Sequence, residues 1–168
     1  MPPRVLVVDD HPIVRQALRT LLEQNGLEAV GEAWDGAEAP RLARDLCAEV
    51  VVLGFTRPLA NCLSVAGEIL RTAPRTGVIL IAFEDYLVGR AFQAGIRGYV
   101  LKTQVVEDLP LAVRAVARGK IYVSPGISPA IVEAFLAAIA HLPSGSVRRM
   151  MAPRTPHSAV GGRDKAHE

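Results

Sequence analysis

The run Arg4-Val5-Leu6-Val7-Val8-Asp9-Asp10-His11-Pro12 constrains this chain more than any other stretch. Its four consecutive apolar residues, three of them β-branched, leave no polar face for solvent, so they form a strand covered on both sides, as in a parallel sheet between two layers of helices. Two acidic residues follow at once. Pro12 then suits a first helical position, where its missing N–H would have had no partner, and Ile13, Val14, Ala17, Leu18, Leu21 and Leu22 recur along one helical face. The strand therefore delivers a pair of carboxylates to its C-terminal end, the edge at which open α/β sheets bind ligands.

The pattern repeats along the chain. Asn25-Gly26 stops the first helix, and residues 27–34 read as a second strand, weakened by Gly31 and Glu32. After the Asp35-Gly36 turn, residues 37–47 have helical spacing, with Pro40 early enough to be tolerated. Val50-Val51-Val52-Leu53 is a third strand and Gly54-Phe55-Thr56-Arg57-Pro58 the loop leaving its end. A helix over 63–73, a buried strand at Val78-Ile79-Leu80-Ile81 and a helix over 85–94 closed by a left-handed Gly95 come next. Residues 98–102 form the fifth strand. The fifth helix, 106–118, aligns Val106, Leu109, Val113, Val116 and Ala117 on one face before Gly119 ends it. Five strands alternating with five helices, joined by right-handed crossovers, predict a flavodoxin-like (βα)5 three-layer sandwich with a parallel five-stranded sheet in the order 2-1-3-4-5.

Charge and cysteine content narrow the function. Residues 142–168 carry a net charge of +3, which leaves −1 for residues 1–141, so the basic character belongs to the tail and the body is not expected to be a nucleic-acid surface. Cys47 and Cys62 have no metal-site spacing and read as reduced, structurally incidental thiols. No run reaches the roughly 18 to 20 apolar residues of a membrane span, and the N-terminus lacks a signal-peptide pattern, so the chain is expected to be cytoplasmic. A dehalogenase-type site needs aspartates two residues apart, and no glycine-rich loop follows the first strand to cradle a phosphate. His11 reads as a helix-entry residue rather than a general base.

Three segments together resemble the receiver domain of bacterial response regulators of the NarL/FixJ subfamily. They are Val5-Leu6-Val7-Val8-Asp9-Asp10-His11-Pro12, Ala94-Gly95-Ile96-Arg97-Gly98-Tyr99-Val100-Leu101-Lys102, and Ala115-Val116-Ala117-Arg118-Gly119-Lys120-Ile121-Tyr122-Val123-Ser124-Pro125. The resemblance implies a receiver domain over 1–123. In that family a histidine kinase passes a phosphoryl group to an aspartate ending the third strand, with Mg²⁺ held by the acidic pair and the acceptor. Asp9 and Asp10 match the acidic pair, Lys102 the lysine that meets the phosphoryl oxygens, and Tyr99 the aromatic switch residue.

The acceptor position is occupied by Gly54, which has no nucleophile, and the hydroxyl residue expected after the fourth strand is replaced by Ala82. With one carboxylate missing, metal binding at Asp9 and Asp10 is expected to be weak or vestigial, so that no cofactor is expected and Mg²⁺ affinity is lowered. Lys102 is expected to pair with Asp9 or Asp10 instead. Asp10 or Thr56 is the substitute acceptor to test against this. The chain is expected not to be an enzyme.

Residues 124–141 read as an apolar linker helix, with Ile131, Val132, Phe135, Leu136 and Ile139 over 128–140, and residues 142–168 as a disordered basic tail. The resulting expectation is a phosphorylation-independent pseudo-receiver. It would contact a protein partner or a second copy of itself through the face of the fourth helix, fifth strand and fifth helix, or through the 128–140 helix. Contact with a histidine kinase without phosphotransfer is compatible with this; DNA and membrane binding are not expected. Two alternatives stay open: a truncated or frameshifted DNA-binding transcriptional regulator of the NarL/FixJ type, and a phosphorelay receiver with an unorthodox acceptor.

Overall fold

A computed structural model describes residues 1–54, 58–130, 132 and 133. The apolar runs become the strands β1 (Arg4–Val8), β2 (Glu28–Ala33), β3 (Val50–Leu53), β4 (Gly77–Ala82) and β5 (Gly98–Leu101). Between them run α1 (Pro12–Gln24), α2 (Ala39–Asp45), α3 (Leu59–Thr72) and α4 (Val88–Gln93), and α5 (Val105–Ala117) follows β5. All strand pairs are parallel. The order β2-β1-β3-β4-β5 is the expected one, but a sixth strand, β6 (Tyr122–Val123), extends the sheet beyond β5. Two residues carry no periodicity of their own, so only the pairing of Gly98 with Tyr122 and Tyr99 with Val123 reveals that strand.

Both faces of the sheet are covered. Leu6, Val8, Val51, Leu53, Val78, Leu80 and Tyr99 point into one core with α2, α3 and α4, whereas Val5, Val7, Val50, Val52, Ile79, Ile81 and Val100 point into the other with α1 and α5. The alternation along each run is the period-2 geometry of a strand buried on both sides. The weak second strand pays a visible irregularity: Val5 pairs with Ala29 but Leu6 with Gly31, so Val30 is skipped. Gly95 has the expected left-handed backbone, at φ +92°.

Two helix starts differ most from the sequence reading. Helix α3 begins at Leu59 rather than 63, and α4 begins at Val88 rather than 85, because the chain after β4 first makes a turn through Asp85 to Leu87. Ile13 and Val106, assigned above to buried faces, are 81% and 63% exposed. Both stand in the first turn of a helix, which overhangs the strand ends and so has no sheet beneath it. Most of the 128–140 helix, the 142–168 tail and Thr56 lie outside the described residues.

Candidate functional site

The strand ends bring Asp9 and Gly54 together. Val8 is paired with Leu53, the Gly54 N–H donates to the Val8 carbonyl at 2.9 Å, and the Asp9 N–H donates to the Ala33 carbonyl at 3.1 Å. Asp9 is fully buried while Asp10 is partly accessible. His11, the residue before α1, donates its backbone N–H to Asp9 Oδ1 at 2.8 Å. Its half-exposed ring sets Nδ1 3.2 Å from Asp9 Oδ1 and 3.0 Å from Asp10 Oδ1. The Arg15 guanidinium, one turn into α1, donates to the Asp9 carbonyl at 2.7 Å and ties the helix to the strand end. His11 thus belongs to the site rather than merely opening the helix. Its place directly after the acidic pair was the available sequence signal.

The other oxygen of Asp9 has a different environment. Oδ2 is buried and has no hydrogen-bond partner among the described residues. A side-chain carbon placed on Gly54 would stand 2.5 Å from it. The Asp9 carboxylate therefore leans over the position from which a side chain at Gly54 would have to project. Burial raises the pKa of Asp9, the Asp10 charge adds to the rise, and the hydrogen bonds from His11 oppose it.

A folded-state pKa above the ordinary 3.8 means that the unfolded chain loses this proton first, so stability falls as pH rises past that value. Asp9→Asn is accordingly expected to raise the thermal midpoint at pH 7 and to lose that advantage near pH 4. Midpoints of variant and parent that differ equally at both pH values would contradict it.

Lys102 and Ala82 occupy the ends of β5 and β4. Among the described residues Lys102 forms no ion pair with Asp9 or Asp10, contrary to the expectation; its Nζ lies over the Phe83 ring, 4.5 Å from the centroid. Strand spacing explains the outcome. Three inter-strand steps of about 4.8 Å separate β5 from β1, whereas Phe83 leaves the adjacent strand β4. Ala82, half-buried and paired with Leu101, presents only a methyl group. It lines an open groove with Pro58, Leu59, Cys62, Phe83 and Leu87. Burial pushes the Cys62 thiol up to about 11, with the Asp10 charge contributing, which disfavours its thiolate form.

Tyr99 is not at a sheet edge. It is fully buried, flanked by β4 and β6, and its hydroxyl donates to the Glu84 carbonyl at 2.5 Å. Burial and the charges of Glu84 and Asp85 push its pKa up. Beyond β6, the Leu101 N–H donates to Ser124 Oγ at 3.0 Å, Ile127 is buried, and Val132 packs on the same core. The chain's own continuation thus covers the outer edge of β5. On the loop after β4, Phe83 and Tyr86 remain 64% and 67% exposed.

Among the described residues, Asp9, Asp10 and His11 are the group able to offer donors to a metal ion, with ligand atoms all within 4.8 Å of one another. No helix among these residues is long and apolar enough to cross a membrane.

Comparison with known proteins gives a consistent picture. A family model for the response regulator receiver domain matches residues 5–114. The response regulator GacA of Pseudomonas aeruginosa is 37% identical over 128 residues, covering 74% of this chain and 60% of GacA. The chain thus spans about 60% of the length of that relative. A LuxR-family two-component response regulator from Aurantimonas sp. SI85-9A1 superposes with a TM-score of 0.72 at 32% identity, over 81% of this chain and 99% of that one. The isolated REC domain of RcsB from Salmonella enterica serovar Typhimurium, in the apo form, gives 0.68 at 27% identity, over 80% and 98%.

Proposed function

Because this chain belongs to the response regulator receiver domain family, we propose that it is a receiver that has lost phosphoacceptance and acts by protein contact. The observation that carries the reading is the relation of Gly54 to Asp9. The residue at the end of β3 has no nucleophile, and the space a side chain would enter there is bordered at 2.5 Å by the Asp9 carboxylate. Ala82 supports it, since a methyl group cannot hydrogen-bond phosphoryl oxygens, and so does Lys102, whose ammonium lies on Phe83.

Contact is assigned to the α4 side of the sheet. Tyr99 anchors the loop after β4 through the Glu84 carbonyl, and that loop holds Phe83 and Tyr86 out to solvent. Aromatic side chains of this kind contribute disproportionately at protein interfaces. With β6 and Ser124 on the outer edge of β5, the β4–α4 loop and α4 are the parts of this face left for a partner.

The direct test is to incubate the full chain with Mg²⁺ and acetyl phosphate and measure its intact mass. The unmodified mass is expected. A stoichiometric phosphoryl adduct would overturn the reading in favour of an unorthodox acceptor such as Asp10 or Thr56.

A second reading treats the same domain as the receiver of a DNA-binding transcriptional regulator. RcsB, a structural neighbour, has been observed in complex with DNA, and this chain covers 73% of it at a TM-score of 0.64. Salt-dependent DNA binding by the full chain would favour that reading.

A further inference from the structure

The groove that Ala82 lines holds about 440 Å³, within the range of about 300–1,000 Å³ typical of ligand pockets. Leu59, Leu80 and Leu87 line it with the exposed rings of Phe83 and Tyr86, and among its described lining residues Glu84 alone carries a charge. Such a surface suits an uncharged, apolar occupant. The chain itself leads onto this face. Ile127 is buried in the same hydrophobic cluster as Leu80, and Leu59, Ala82, Leu87 and Val132 all pack against that cluster. The Val132 N–H donates to the Ser128 carbonyl at 3.3 Å, so a helical turn has begun on this face where the described part of the chain ends at Glu133. The next residues, Ala134-Phe135-Leu136-Ala137-Ala138-Ile139-Ala140, contain no polar side chain. Phe135, Leu136 and Ile139 share one face at helical spacing, and an apolar run of this kind needs a surface to cover it.

We propose that residues 134–140 of this chain dock through Phe135, Leu136 and Ile139 into the groove between Phe83 and Tyr86, and so occupy from within the face a partner would use. Reach permits it. The segment spans about 10 Å as a helix and about 24 Å extended, the latter comparable with the breadth of a domain of this size. Tethering favours the chain's own segment over that of a second copy, because a short linker sets an effective concentration on the order of millimolar. The result is an internal competitor: a partner that contacts the β4–α4 loop must first displace residues 134–140. That consequence rests on the contact reading above, whereas the docking itself does not depend on phosphoacceptance.

The test places a nitroxide spin label on the full, isotope-labelled chain at Ala137→Cys, off the face shared by the three anchors, in a Cys47→Ser background. Cys62 is buried and stays unlabelled. Loss of the amide signals of Phe83, Tyr86 and Leu87 is expected, with those of Glu28 and Thr76, at the opposite edge of the sheet, retained. Phe135→Asp together with Leu136→Asp removes the apolar anchors without touching the receiver core, and should restore the lost signals. Signals lost only when spin-labelled chains are mixed with separately isotope-labelled ones would make a second copy the occupant and overturn the inference. Signals retained throughout would overturn it as well. Because a phosphoryl adduct is read separately by mass, failure here and failure of the proposed function are distinguishable.

Discussion

Gly54→Asp is expected to destabilise the protein by a few kcal/mol in the absence of divalent cations, and to recover much of that loss when Mg²⁺ is added. The first part has a steric and an electrostatic cause. The new Cβ would stand 2.5 Å from Asp9 Oδ2, so the Asp9 carboxylate must swing away, and a third carboxylate then crowds Asp9 and Asp10. Gly54→Ala separates the two causes, since it adds the carbon without the charge and should respond to Mg²⁺ no more than the parent does. The second part follows from linkage. An ion that binds only the folded variant stabilises it by about 2.7 kcal/mol at a concentration one hundred times its dissociation constant.

Chemical denaturation of parent, Gly54→Ala and Gly54→Asp, each with EDTA and with Mg²⁺, checks the whole set. Ala82 would still offer no hydroxyl, so the repaired chain is expected to bind the ion better than it retains a phosphoryl group. A Gly54→Asp variant as stable as the parent and indifferent to Mg²⁺ would show that Asp9 does not obstruct the acceptor position.

Tyr99→Ala should be more damaging still. Tyr99 heads the large side chains that are fully buried, and it packs in the core beneath α4. Removing such a ring costs about 3 to 5 kcal/mol, because the surrounding side chains collapse only in part. For a domain of this size that lowers the thermal midpoint by roughly 10 to 20 °C.

Tyr99→Phe keeps the ring and removes only the hydroxyl that meets the Glu84 carbonyl, a loss of about 0.5 to 1.5 kcal/mol. The pair therefore separates core packing from loop anchoring. Denaturant midpoints measure the first, and proteolysis of the loop carrying Phe83 and Tyr86 measures the second. If Tyr99→Ala fell within about 1 kcal/mol of the parent, the ring would not be the core element described above.

Much of the fold was legible because its signals are local. Val5-Leu6-Val7-Val8, Val50-Val51-Val52-Leu53 and Val78-Ile79-Leu80-Ile81 each declare a strand buried on both faces, and the glycines and prolines between them mark where helices stop and start. Parallel strands align their C-terminal ends, so the order of these runs also placed Asp9, Asp10, Gly54, Ala82 and Lys102 along one edge of the sheet.

Which of these residues meet was decided only in three dimensions. The lean of Asp9 over Gly54 joins positions 45 residues apart through the register of β1 against β3, which no local pattern encodes. Lys102 lies on Phe83 because the adjacent strand is within a side chain's reach and β1 is three strands away. The two residues of β6 and the burial of Ile127 depend on an available edge at β5, and the exposure of Ile13 and Val106 depends on how far each helix overhangs the sheet. The sequence by itself determined the elements and the edge on which the chemistry-bearing residues stand, since periodicity acts over a few residues. The tertiary structure decided their partners, since those follow from strand order, register and rotamer.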